Sequence, residues 1–113
     1  MDSFDSGRAK RFTQAVRHRL RGEYDAAETL LLAILAERPT DAAALHQLGL
    51  LYSYQAEIDK SLATLERAVA LEPTSHTYRT DLAKTYTMFG DTDKAAATMQ
   101  RVDDDSTEGD ANP

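Results

Sequence analysis

The chain repeats itself every 34 residues, and that period decides what it can fold into. Asp25, Asp59 and Asp93 are separated by 34 and again by 34, as are Leu31, Leu65 and Met99. Pro39 pairs with Pro73, Leu48 with Leu82 and Tyr52 with Tyr86 at the same offset. Gly22 and Gly90 stand two periods apart, with Ala56 midway between them. No gap is needed to keep the phase. A unit of this length cannot bury an apolar face alone and has to stack on its neighbours.

Each period reads as two helices. Leu45, Leu48 and Tyr52 recur at helical spacing, and so do Tyr78, Leu82 and Tyr86; Ala27, Leu31, Ile34 and Leu62, Leu65, Val69 form the second stripes. Gly22 and Gly90 fall between the paired helices, where a left-handed turn favours a residue without Cβ. Ala56 takes that place in the second period, so its turn is either strained or shaped differently. The repeated aspartates fall in the first turn of the second helices, where a carboxylate complements the dipole. Pro39 and Pro73 end those helices, and Asp41 or Ser75 can cap the next. The pattern predicts helices at about 7–21, 24–37, 42–54, 58–71, 76–88 and 92–102, with no competing strand pattern.

The segment AAALHQLGLLYSYQAEIDKSLATLERAVALEPTS resembles a tetratricopeptide repeat. That family's pattern is a bulky residue, Leu-Gly, Tyr, Gly, Ala, an aromatic, Ala and Pro; here it is met by Leu45, Leu48-Gly49, Tyr52, Ala56, Ser61, Leu65, Ala68 and Pro73. The second helix of the first period (Gly22, Tyr24, Ala27, Leu31, Pro39) and the third period (Leu82-Ala83, Tyr86, Gly90, Ala95, Met99) follow it too. Gln14 and His18 depart from it, standing where Leu and Tyr belong. The expectation is an all-α superhelix, a solenoid of three antiparallel helix hairpins at 8–41, 42–75 and 76–103. A flexible N-terminus (1–7) and a disordered acidic tail (104–113) would flank it.

The resemblance also implies a site. In this family the first helices line a concave groove in which peptides lie. Here Phe12, Val16, Arg19, His46, Leu50, Tyr54, Thr80, Lys84 and Met88 would line it. His46 reads as a polar groove residue rather than a catalytic base. Phe12, Val16, Thr77 and Asp81 occupy the places where one branch of the family keeps a polar clamp for C-terminal carboxylates, so that specificity is not expected. The implied partner is an apolar or amphipathic protein or peptide segment held by a few anchors.

Composition narrows the function further. With no cysteine there is neither a disulfide framework nor a thiol nucleophile. The three histidines share no metal-ligand spacing, and neither a phosphate-binding glycine loop nor a nucleophile elbow occurs. The expectation is therefore no enzyme activity and no cofactor. No apolar run approaches the roughly 18 residues of a membrane span, and the N-terminus lacks a secretory pattern, so a cytoplasmic location is expected. The net charge of −6 is unevenly spread. Residues 1–22 hold six basic and two acidic residues, residues 23–113 seven basic and seventeen acidic. This balance disfavours nucleic acid as the main partner and leaves the basic first helix as a second candidate surface for an anionic one. The third second helix presents Thr92, Ala96, Met99 and Asp103 where the earlier ones present bulky apolar groups. The expectation is that the array ends here without the usual covering helix, which raises self-association as an alternative reading.

Overall fold

The computed structural model describes residues 3–100. Six helices make up the described chain: α1 (Ser3–Leu20), α2 (Tyr24–Glu37), α3 (Ala42–Tyr54), α4 (Ile58–Leu71), α5 (His76–Met88) and α6 (residues 92–100). The four central helices have the predicted bounds. α1 begins at Ser3 rather than near 7, with Gly7 inside it. Extending a formed helix gains one hydrogen bond per residue fixed, so a single glycine does not stop it. The expected tail lies outside the described residues.

The same turn closes all three hairpins. The amide of Glu23 donates to the His18 carbonyl at 2.8 Å, that of Glu57 to Tyr52 at 3.0 Å and that of Asp91 to Tyr86 at 2.8 Å. Inside each of these bonds a second one runs from Gly22 to Arg19, from Ala56 to Ser53 and from Gly90 to Thr87. This is the Schellman arrangement, which requires a left-handed residue just after the helix. Gly22 has φ +78° and Gly90 φ +91°; Ala56 adopts φ +58°. The central turn is thus the strained alternative, the same shape made without glycine. Between hairpins, the Asp41 side chain accepts from the Ala44 amide at 3.0 Å and the Ser75 hydroxyl from the Tyr78 amide at 3.2 Å. These are the two caps predicted from sequence.

Within a hairpin the helices meet at small residues. Gly49 on α3 lies against Leu65 on α4 so closely that a Cβ there would come within 2.5 Å of the leucine Cγ. The fully buried Ser61 hydroxyl donates to the Gly49 carbonyl at 2.9 Å. Between hairpins, Leu48 and Tyr52 of α3 join Leu31 and Ile34 of α2 in one apolar cluster, and Leu82 and Tyr86 of α5 join Leu65 of α4 in a second. Each tyrosine body is buried while its hydroxyl reaches a carboxylate, Tyr52 to Glu28 and Tyr86 to Glu66. Gln14 and His18 occupy the positions that in α3 and α5 pack onto the preceding hairpin. Gln14 is exposed, and His18 bonds Glu23 at 3.1 Å.

Candidate functional site

The nine residues selected from sequence fall three to a hairpin, offset by 34 except for Arg19, which stands 35 before Tyr54, and the structure treats the three sets differently. In the first, Phe12 is half-buried and packs against the apolar cluster of α1–α3. Val16 is half-buried beside it. Arg19 reaches across to the next hairpin: its Nε donates to Gln47 Oε1 at 2.9 Å, and its guanidinium lies 5.7 Å from the centre of the Tyr54 ring. Tyr54 in turn stacks on Tyr24, with ring centres 6.3 Å apart. A cation and two aromatic rings thus form one connected surface across the first two hairpins.

In the second triplet Leu50 is half-buried and Tyr54 is 56% exposed. His46, expected as a groove donor, is 8% exposed and already engaged. Its ring stacks on Tyr78 at 4.6 Å, and its Nε2 lies 2.7 Å from Asp81 Oδ2. The residue joins α3 to α5 instead of facing an open groove. A histidine at helical spacing looks the same in sequence either way, because only the neighbouring hairpin supplies Tyr78 and Asp81.

The third triplet is open. Thr80, Lys84 and Met88 line a cleft of about 640 Å³ together with Ala83, Thr87, Thr92, Ala95, Ala96 and Met99. Met88 is 59% exposed. The Thr80 hydroxyl is buried and has no hydrogen-bond partner among the described residues.

One residue escaped the sequence reading. Leu20, 70% exposed, stands one period before Tyr54 and two before Met88. Leu20, Tyr54 and Met88 end the first helices of the three hairpins, and each is a large apolar side chain left in water. Their 34-residue spacing was present in the sequence; Arg19, the neighbouring position, was chosen instead.

The basic first helix is partly neutralised from within. Arg11 donates to Glu37 Oε2 at 2.6 Å and Arg8 stands 3.9 Å from Asp41 Oδ2, while Arg19 is held by the neutral Gln47 and Tyr54. Ion pairs near the surface contribute at most about 1 kcal/mol each, but these two engage Arg8 and Arg11 of the six basic residues in 1–22. Among the described residues no three His, Asp or Glu side chains gather as metal ligands. No described helix is long and apolar enough to cross a membrane.

Stacked antiparallel helix hairpins of 34 residues, closed by a recurrent left-handed turn and packed through small residues, define a tetratricopeptide-type solenoid. Residues 42–75 match the family model of the tetratricopeptide repeat. Among solved structures, MamA 41-end from Desulfovibrio magneticus RS-1 is 26% identical with a TM-score of 0.78, covering 83% of this chain and 53% of that one. A variant of the Thermobaculum terrenum O-GlcNAc transferase is 25% identical with a TM-score of 0.80, covering 90% and 20%. The Yersinia enterocolitica type III secretion translocator chaperone SycD has the same fold at 13% identity, with a TM-score of 0.79 and coverage of 86% and 74%. The chain thus spans about half of the MamA protein it resembles and a fifth of the transferase. No curated protein sequence matches it significantly.

Proposed function

We propose that this protein is a non-catalytic adaptor that binds a partner segment along the face formed by its first helices. The observation that carries this reading is the row Leu20, Tyr54 and Met88, 70%, 56% and 59% exposed, one from each hairpin. Isolated apolar residues on a surface are ordinary. A row of them in phase with the repeat, with the Arg19–Tyr54–Tyr24 stack inside it, offers an extended segment regularly spaced anchors. Half-buried Val16 and Leu50 adjoin the row. The partner is an apolar or amphipathic protein segment, and the proposed location is the cytoplasm. SycD is by name a chaperone for a translocator, and a small chaperone for one client is a special case of the same reading.

The test compares wild type with a Leu20→Asp/Tyr54→Ala variant in affinity capture from the native lysate. Both side chains are more than half exposed, so the variant should keep its helical circular dichroism. The expected result is a partner retained by wild type and lost by the variant. An identical retained set from both proteins would remove the row from consideration. The second reading, self-association, is motivated by the open cleft beside Met88 and Met99. It requires a mass in solution that rises with concentration.

A further inference from the structure

The second helices enclose a surface separate from the first-helix row. α2 and α4 flank a cleft of about 570 Å³ floored by Leu48 and Tyr52 of α3. α4 and α6 flank another, of about 480 Å³, over Leu82 and Tyr86 of α5. Every residue lining the second stands 34 after one lining the first, so the repeat builds this cleft twice. In both, a lysine ammonium lies over the floor tyrosine, Lys60 at 5.5 Å from the Tyr52 ring centre and Lys94 at 5.9 Å from that of Tyr86. The two clefts differ in charge. Where the second carries Glu66, the first carries Leu32, 47% exposed. Glu66 accepts the Tyr86 hydroxyl, so its carboxylate shares the second cleft with Lys94. Tyr52 bonds instead to Glu28, which does not line the first cleft. The first cleft is therefore lined by two cations, Lys60 and Arg67, and by no carboxylate. Arg67 donates to a neutral group, the Pro39 carbonyl at 3.4 Å. Lys60 has Glu57 at 3.9 Å, a water-exposed pair that offsets little of its charge. Glu37 of α2 is taken by Arg11.

We propose that the α2–α4 cleft binds a short acidic segment of another protein, in which one large apolar side chain stands between two carboxylates. Lys60 and Arg67 are seven residues apart on α4, about 10 Å along its axis. An extended segment of polyproline type covers about 9 Å in three residues and returns to the same side. Its carboxylates at i and i+3 therefore meet both cations in charge-assisted contacts. A residue between them turns towards the opposite wall, where Leu32 and Leu35 offer apolar surface and Ala36 leaves room for it. Long polyanions such as nucleic acid fit less well, because residues 23–113 hold seventeen acids against seven basic residues. The second cleft, with Glu66 in its wall, repels the same segment, so one of the two clefts is selective for it. This site shares no residue with the first-helix row.

The test uses the full chain and a fluorescent peptide with the core Glu-Pro-Leu-Glu, beside Gln-Pro-Leu-Gln and Glu-Pro-Ser-Glu versions. The expected result is saturable binding of the first below about 1 mM, at least about tenfold tighter than that of either other peptide. Leu32→Glu gives the first cleft the carboxylate of the second. This change and Arg67→Glu should each weaken the binding about tenfold or more. Both side chains are exposed, so circular dichroism and thermal unfolding should stay as in wild type. The Leu20→Asp/Tyr54→Ala variant should bind the peptide as wild type does, which separates this site from the proposed adaptor surface. Equal affinity for the three peptides, or indifference to both cleft substitutions, would overturn the proposal. So would no saturable binding up to about 1 mM. Self-association that Leu32→Glu abolishes, with no peptide bound, would assign the cleft to a second copy and overturn it too.

Discussion

At the scale of single residues, two side chains store measurable information. Ala56 holds φ +58° in a turn that its counterparts make with glycine. A Cβ in the left-handed region costs on the order of 1 kcal/mol. Ala56→Gly should therefore stabilise the protein by about that amount in urea unfolding, and a loss of stability would show that the turn is not strained. Tyr52 is the second. Burial, then its hydrogen bond to Glu28, push its phenol up to about 12 from the usual 10.0. The folded chain then holds a proton that the unfolded chain releases above pH 10 or so. Stability from this group is complete below that pH and is lost as the pH climbs towards the folded value. Tyr78 shifts the same way, through burial and then Glu72 and Asp41. Tyr52→Phe should flatten the alkaline fall in melting temperature between about pH 10 and 12; an unchanged slope would reject this source.

At the scale of elements, the α3–α4 pair is set by one close approach. Leu65 is fully buried, and its Cγ would lie 2.5 Å from a Cβ on residue 49. Leu65→Ala should cost about 2–5 kcal/mol, read from denaturant midpoints. Gly49→Ala would gain roughly 1 kcal/mol of helix propensity in isolation. In the protein it should destabilise, because the clash falls on the branching carbon of a buried leucine. The two substitutions touch the same space, so the double variant should be less unstable than the sum of the singles. Additive effects would mean that the helices do not meet at this point.

At the scale of the whole molecule, the two outermost described faces differ. The α1 face carries polar groups, Gln14 and the His18–Glu23 pair, while among the described residues the α5–α6 face holds an apolar cleft against Met88 and Met99. A repeat protein grows by covering each receiving face with the next unit. The row of first-helix anchors runs across all three hairpins instead, so its substitution should leave that stacking, and with it the cooperativity of unfolding, unchanged.

Helix number, type, turns and caps were legible in the residues, because each depends on local rules repeated in register. Leu48 and Tyr52 bury wherever a helix of that pattern finds a neighbour, and Asp41 and Ser75 cap whichever helix follows them. The candidate site was legible only as a set of positions. Nothing near His46 in the chain tells of Tyr78 and Asp81, which stand 32 and 35 residues away. Nor does anything near Arg19 tell of Gln47 and Tyr54. Sequence by itself determined that three hairpins would stack and which positions would face along the stack. Only the tertiary structure decided which of those positions are spent on the next hairpin and which remain open. Burial is a property of the neighbour that arrives, not of the residue that waits for it.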